Sequence, residues 1–378
     1  MQIPSWPQAD EREAELLRMV LESPQWGGFH PFVAEFEQSF AAYQHAAHGI
    51  SVFNGTVALE LALTVLGIGP GDEVIVPAIS FISSATAVSR VGALPVFVDI
   101  EPWSFNIDPE CVRAAVSPKT KAVMAVHFGG MMCNVDALGA ICSERGLFLL
   151  EDAAQAHGSE WNGKRAGSLG VAGSFSFQNG KVLCSGEGGI LVTSDDEFGE
   201  RARSIANQGR LTGRSFYEHS QLGTNFRLTG FQAAVLLAQL ERLPEQIRKR
   251  RINASLLKGL LADIKEVVWQ AEPPGVTENS WYLLVARLRK AGLSRDQFHE
   301  QLRAHGVPCT PFYPHTLYKN PLYVKGQCRV TPCPVAEACI LDSFWLPHRV
   351  LLANEETVRQ VADAIREAAT KIFFARLS

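Results

Sequence analysis

Two side chains of opposite charge stand where this sequence pattern would present them to a ligand. Asp152 follows the apolar run Leu147–Leu150 and opens the segment Glu151-Asp152-Ala153-Ala154-Gln155-Ala156-His157-Gly158. That places a carboxylate at the carboxyl end of a strand, where open α/β sheets bind ligands. Lys181 follows the strand-like Ser174-Phe175-Ser176-Phe177 and precedes Ser185-Gly186-Glu187-Gly188-Gly189, where backbone without side chains permits close approach. A third element is Gly55-Thr56, behind Asn54 at the start of a helix-like run. The N–H groups of a helix start, with a hydroxyl beside them, suit a phosphate. Each feature has a bland reading: a strand-end Asp often just caps a helix, and an isolated Lys is usually solvated.

Together the three describe a site. A phosphate seat, a carboxylate and a lysine in one α/β domain are what pyridoxal 5′-phosphate requires. The amine condenses with the aldehyde, and the carboxylate keeps the ring nitrogen protonated so that the ring accepts electrons.

The elements that must position these residues are legible as alternating segments from residue 45 to about 200, at the spacing of βαβ units around a parallel sheet. Val74–Val76, Val96–Val98, Ala122–Val126, Leu147–Leu150, Ser174–Phe177 and Ile190–Val192 are short, apolar and bounded by turn or polar residues, as strands buried on both faces should be. Val57–Leu66 is too long for such a strand and ends at Gly67, which predicts a buried helix. Asp108-Pro109 is an N-cap and first-turn proline leading into a helix over Glu110–Val116. A helical pattern from Phe231 to Arg242 meets Pro244 and resumes over Glu245–Leu261, predicting a kink or break there. We place a domain boundary at that proline: a large cofactor-binding domain with an N-terminal arm over 1–243, and a smaller α+β domain over 244–378. The latter contains a strand at Tyr282–Leu288, a helix at Arg295–His305 and a closing amphipathic helix from Glu355, capped by Asn354.

Composition excludes several classes. With 47% apolar and 20% charged residues, the 378-residue chain can bury a sizeable core. Its formal charge of −4, with no block of like charge, offers no footprint for nucleic acid or an anionic membrane. No apolar run reaches the length of a membrane span, and Met1–Arg12 lacks the pattern of a secretory signal, so a cytoplasmic location is expected. The eight cysteines then read as ordinary thiols. Cys328, Cys333 and Cys339, and likewise His299, Glu300 and His305, lack metal-ligand spacing; no metal is expected. Gly180-Lys181 is not a nucleotide loop, because Val182 stands where Ser or Thr is needed.

The chain resembles the DegT/StrS sugar aminotransferases, fold-type-I pyridoxal phosphate enzymes with an aspartate aminotransferase-like α/β fold. The resemblance rests on Asn54-Gly55-Thr56-Val57-Ala58-Leu59, Gly71-Asp72-Glu73-Val74-Ile75-Val76-Pro77, Glu151–Gly158, Ser174–Lys181 with Gly186-Glu187-Gly188-Gly189, and Asn225-Phe226-Arg227-Leu228. It implies that Lys181 is the cofactor lysine and proton carrier, and that Asp152 partners the ring nitrogen. It also places Gln155 near the phenolic oxygen and Phe81 on the ring face, with core packing as the lesser alternative for Phe81. Gly55, Thr56 and Ser176 fall at phosphate positions. Asn225 would reach the phosphate of a neighbouring subunit, implying a homodimer with shared active sites, and Arg227 would project across that interface toward substrate. His315, in the variable Phe312-Tyr313-Pro314-His315, is a further substrate candidate; His157 and Glu187 each have a structural reading as good as a functional one.

The activity implied is transfer of an amino group from glutamate or glutamine to a keto-sugar, free or nucleotide-linked, or to a cyclitol ketone. Trp6-Pro7-Gln8, Phe177–Lys181 and His348–Leu352 lean toward the cyclitol and 3-amino-5-hydroxybenzoate branches. Relatives with histidine in place of the lysine are dehydratases, so Lys181 favours amino transfer. An aromatising dehydratase and a cofactor-binding regulator without turnover are the alternatives.

Overall fold

The computed structural model describes residues 1–289 and 294–374. Its centre is an eight-stranded sheet in the order His48–Val52, Gly189–Thr193, Ala172–Ser176, Phe148–Asp152, Thr120–Val126, Glu73–Pro77, Leu94–Val98, Arg329–Val330. All neighbours run parallel except at Gly189–Thr193, which is antiparallel to both of its partners. Each of the six strands expected from sequence is present, with ends within two residues. Alternate side chains of these strands enter two different cores, as a pleat demands. Ile75, Val123 and Ala125 pack with the helices Glu11–Glu22, Pro31–Tyr43, Val135–Arg145 and the first half of Gly230–Leu260. Val74, Val76 and Met124 pack with Gly55–Val65, Ser83–Arg90 and Asp196–Ala206. The result is a three-layer α/β/α body.

A second, four-stranded antiparallel sheet is ordered Val267–Trp269, Leu283–Leu288, Ser343–Pro347, Thr310–Pro311. It packs with Arg295–Ala304 and Glu355–Phe374 around its own core. Asn354 does cap the last helix, its Oδ1 accepting from Thr357 N at 2.9 Å. Asp108 caps Pro109–Ala115 through Glu110 N at 2.8 Å. Among the described residues, no helix is long and apolar enough to cross a membrane.

The expected break at Pro244 is absent: one helix runs from Gly230 to Leu260 with the proline inside it. An interior proline costs about 3 kcal/mol, but Leu237, Leu243, Ile247, Ala254 and Leu257 are buried along this helix. Burial at roughly 1.5–3 kcal/mol per large apolar side chain outweighs that cost. The helix therefore passes from the first core to the second without interruption. The strands His48–Val52, Val267–Trp269 and Ser343–Pro347 were not read from sequence, and the C-terminal Arg329–Val330 returns to the edge of the large sheet.

Candidate active site

A cleft of about 420 Å³ opens at the carboxyl ends of the parallel strands, and it gathers Lys181, Asp152, Gln155, Ser176, Gly55, Thr56 and Phe81. Asp152 ends one strand and Ser176 its neighbour, so adjacent strands deliver them together. Lys181 stands in the turn that follows, its amide donating to Gln178 O at 2.8 Å.

The strand carrying Asp152 is anchored from below by Glu151, which is fully buried. One of its oxygens accepts from the amides of Leu169 and Gly170, both at 2.7 Å. The other accepts from Gly167 N at 2.8 Å and from His127 Nε2 at 2.9 Å. Because His127 Nδ1 accepts from Cys133 N at 3.1 Å, the proton must sit on Nε2. Buried charge is tolerable only with this degree of satisfaction. Above it, Asp152 is nearly buried; Oδ2 accepts from Ser84 Oγ at 2.7 Å and Oδ1 from Ala154 N at 3.2 Å.

At the other end of the cleft, Asn54 caps Gly55–Val65 through Val57 N at 2.9 Å. The first helical amides, those of Gly55 and Thr56, precede the intrahelical bonding pattern and point out of the helix start. Thr56 Oγ1 lies 2.7 Å from Ser83 Oγ, and Ser176 closes the same corner. This corner is tight: a Cβ added to Gly55 would lie 2.8 Å from that of Ser176. Helix amides and three hydroxyls at one end, a carboxylate at the other and an amine on the wall form a donor set that fits pyridoxal phosphate.

The remaining details divide the candidates. Phe81 is 58% exposed and faces the cleft, which rules out core packing for it. Gln155 Oε1 accepts from Gly129 N at 2.7 Å. Lys181 Nζ lies 4.7 Å from the ring centroid of Tyr282, also a lining residue. Glu187 lines the cleft too. His157 is fully buried, with Nε2 donating to Ser176 O at 3.0 Å, so it braces the Ser176 backbone. Burial, then the charge of Lys181, pushes its pKa down to about 3.

Three candidates lie outside this cleft within the chain. Asn225 Oδ1 accepts from Arg227 N at 3.3 Å, and Arg227 donates to Asn207 Oδ1 at 2.9 Å while its guanidinium sits 5.3 Å from the Phe29 ring centroid. Arg227 lines a separate cleft with Glu37 and Arg203. His315 contacts Thr316 O at 3.1 Å and faces a third cleft with Lys319 and Glu337. Of the stretch 312–315, Phe312 is buried among Phe105, Phe128 and Trp345. It is Tyr313 that approaches the site: burial, then Tyr282 and Asp152, push its hydroxyl pKa up, and Gln155 opposes this. Sequence reasoning missed Ser83, Ser84 and Tyr282, and within the stretch 312–315 it singled out His315 rather than Tyr313. Small hydroxyls and tyrosines carry no spacing signal of their own, and the two tyrosines come from more than a hundred residues away.

Known proteins resemble the chain over almost its whole length. It is 41% identical to the 3-amino-5-hydroxybenzoate synthase of Amycolatopsis mediterranei, with 98% of each chain covered. It is 38% identical to the L-glutamine:2-deoxy-scyllo-inosose aminotransferase of Streptoalloteichus tenebrarius, covering 96% of this chain and 93% of that one. A crystal structure of 3-amino-5-hydroxybenzoic acid synthase superposes with a TM-score of 0.92 at 41% identity, covering 98% of this chain and 99% of the other. Residues 7–366 match the DegT/DnrJ/EryC1/StrS aminotransferases, and the chain belongs to that family of pyridoxal phosphate-dependent enzymes.

Proposed function

We propose that this chain moves an amino group from glutamine or glutamate to the ketone of a free cyclitol or sugar. The observation that carries the reading is the convergence in one cleft of the Lys181 amine, the Asp152 carboxylate and the Gly55-Thr56 helix start. Pyridoxal phosphate, when bound, supplies the electron sink for breaking a bond at the amino-bearing carbon. The protein's part is positioning and proton control. Gly55, Thr56 and Ser176 would hold the cofactor's phosphate, Phe81 would cover its ring and Gln155 would serve its phenolic oxygen. Asp152, oriented by Ser84, would keep a proton on the ring nitrogen. With the cofactor bound, the Lys181 amine would be the group that accepts and returns the proton at the substrate carbon.

The lining of the cleft favours a neutral ketone. Among the described residues Lys181 is its one cation, and Glu187 adds a negative charge, a poor seat for a nucleoside diphosphate within one chain and a reasonable one for a polyhydroxylated ring. Glutamine as donor draws support from the aminotransferase relative that carries it in its name. Asn225 and Arg227, turned away from their own cleft, are assigned to the cleft of a second copy in a homodimer. His315 is assigned to the outer substrate path, beyond Tyr313. We keep the division into a large unit, 1–243, and a small one, 244–378, as parts of this reading.

Lys181→Ala should fold, lose the cofactor label fixed by borohydride, and release no keto acid; sustained turnover by this variant would refute the assignment. Offering ketones to the pyridoxamine phosphate form tests the substrate. Conversion of a cyclitol ketone supports the reading, and conversion of nucleotide-linked keto-sugars alone overturns its preference. The 41% identity to a 3-amino-5-hydroxybenzoate synthase favours a second reading, an aromatising dehydration. Its mark would be loss of water and a new aromatic absorbance without consumption of an amino donor.

A further inference from the structure

The backbone on either side of the Lys181 Cα is held by two side chains that arrive from opposite ends of the sequence. Trp6 Nε1 donates to Lys181 O at 3.0 Å. His348 Nε2 donates to Gly180 O at 3.2 Å, so the imidazole proton is on Nε2 and Nδ1 is bare; Nδ1 has no hydrogen-bond partner among the described residues. The two rings touch edge to face, centroids 4.5 Å apart at 89°. Tyr282, whose ring centroid lies 4.7 Å from Lys181 Nζ, stacks on His348 at 6.1 Å and 24°. Arg349 fixes the arm that carries Trp6 by donating to Pro4 O at 3.2 Å. Trp6, His348 and Tyr282 thus form one aromatic run around the backbone and amine of a single lysine.

We propose that Trp6 and His348 are positioning residues for Lys181, clamping the two carbonyls that flank its Cα so that the amine returns to one place after each release from the cofactor. The proposal rests on the reading of Lys181 as the cofactor lysine. A proton carrier on a four-carbon stem loses effectiveness quickly with misplacement, and about 1 Å can cost on the order of 10²-fold. The turn has its own bonds to Gln178, but Gly180, as the least restrained residue type, adds no stiffness at the position next to Lys181. The neutral state of His348 follows from its surroundings, since burial and then Arg250 hold its pKa well below the ordinary value, and the Gly180 carbonyl fixes the proton on Nε2.

A purely structural role predicts lost stability and nothing specific to Lys181. Trp6→Phe keeps the ring and its contact with His348 but removes the N–H. His348→Phe removes the other donor, and His348→Gln restores a donor of similar reach. We expect Trp6→Phe and His348→Phe each to lower kcat about 10-fold or more, with KM for donor and ketone within about 2-fold, and His348→Gln to recover most of that loss. In the cofactor-free protein, amide deuterium exchange over residues 178–183 should accelerate about 10-fold in both Phe variants while Phe148–Asp152 exchanges as in wild type. Wild-type kcat together with unchanged exchange in Trp6→Phe overturns the clamp; if His348→Phe does not fold, the Trp6 variant decides alone. Cofactor still fixed by borohydride in Lys181→Ala would sink the underlying assignment. Its loss there, with Trp6→Phe behaving as wild type, sinks only the clamp.

Discussion

At the residue scale, His157 illustrates how burial sets the state of a group beside the catalytic machinery. Its Nε2 donates to Ser176 O, and its Nδ1 has no hydrogen-bond partner among the described residues. The imidazole is held neutral, with a pKa pushed down to about 3 by burial, then by Lys181 and, more weakly, Arg250. The consequence for stability has a definite sign. The unfolded chain takes up this proton near pH 6.5 and the folded chain does not, so the unfolded state binds more protons between the two values. Stability is fully present above about pH 6.5 and declines as pH falls toward 3. At pH 5 this residue alone should cost about 2 kcal/mol relative to pH 7.5. Urea unfolding of wild type and His157→Gln at the two pH values checks it: the variant should lose about that much of the pH dependence, whatever its absolute stability.

At the scale of elements, the corner proposed to seat the phosphate depends on a strand passing under a helix start. Gly189 opens the Gly189–Thr193 strand, and a Cβ there would overlap the Asn54 carbonyl carbon and lie 2.7 Å from Gly55 N. The atoms in the way are backbone, which cannot rotate aside. Gly189→Ala should therefore push the helix start outward, costing about 1–3 kcal/mol of stability by overpacking. It should also weaken cofactor binding about 10-fold or more, because displaced amides no longer converge on one anion. A spectroscopic titration of cofactor into the apoprotein measures this. A variant that melts lower yet binds with wild-type affinity would show that the corner tolerates the shift. The same passage explains why the glycine-rich Gly186–Gly189 was informative in sequence: close backbone approach is what such a run permits.

At the scale of the whole molecule, contacts between distant segments tie the fold together. The long helix Gly230–Leu260 contributes Arg250, whose Nε donates to Ser280 O at 2.9 Å, and Asn253, whose amide donates to Leu351 O and Ala353 O at 2.8 and 3.0 Å. Arg329 returns from the C-terminal region to the edge strand. It donates to Ala115 O at 2.7 Å and pairs with the nearly buried Glu73 at 2.7 and 3.3 Å. Burial pushes the Glu73 carboxyl up, but Arg329 and Ser117 more than offset it and hold the pKa below its ordinary value. Arg329→Ala should cost about 1–3 kcal/mol at pH 7, the range for a hydrogen-bonded charge discounted for the partial exposure of the arginine. Because the lowered carboxylate pKa stabilises only while the group is ionised, the gap between wild type and variant should close as pH falls below about 4.5. Chemical unfolding at pH 7 and pH 4 reads it, and a gap independent of pH would assign the effect to packing.

Local chemistry in the sequence already determined the class of site. Asp152 at the end of an apolar run, Lys181 before a glycine-rich turn and Gly55-Thr56 at a helix start are each set by neighbours within a few residues. Strand periodicity, caps such as Asp108 and Asn354, and glycine turns likewise act over a few residues. Tertiary structure decided the rest, because it concerns contacts across tens to hundreds of positions. The continuity of the helix through Pro244 depends on the two cores it joins. Ser84 orienting Asp152, Tyr313 beside Gln155, and Trp6 and His348 on the carbonyls around Lys181 are contacts between segments that no local pattern links. A side chain's type is written in its codon position, but its partner is chosen only when burial leaves that polar group a single place to bond.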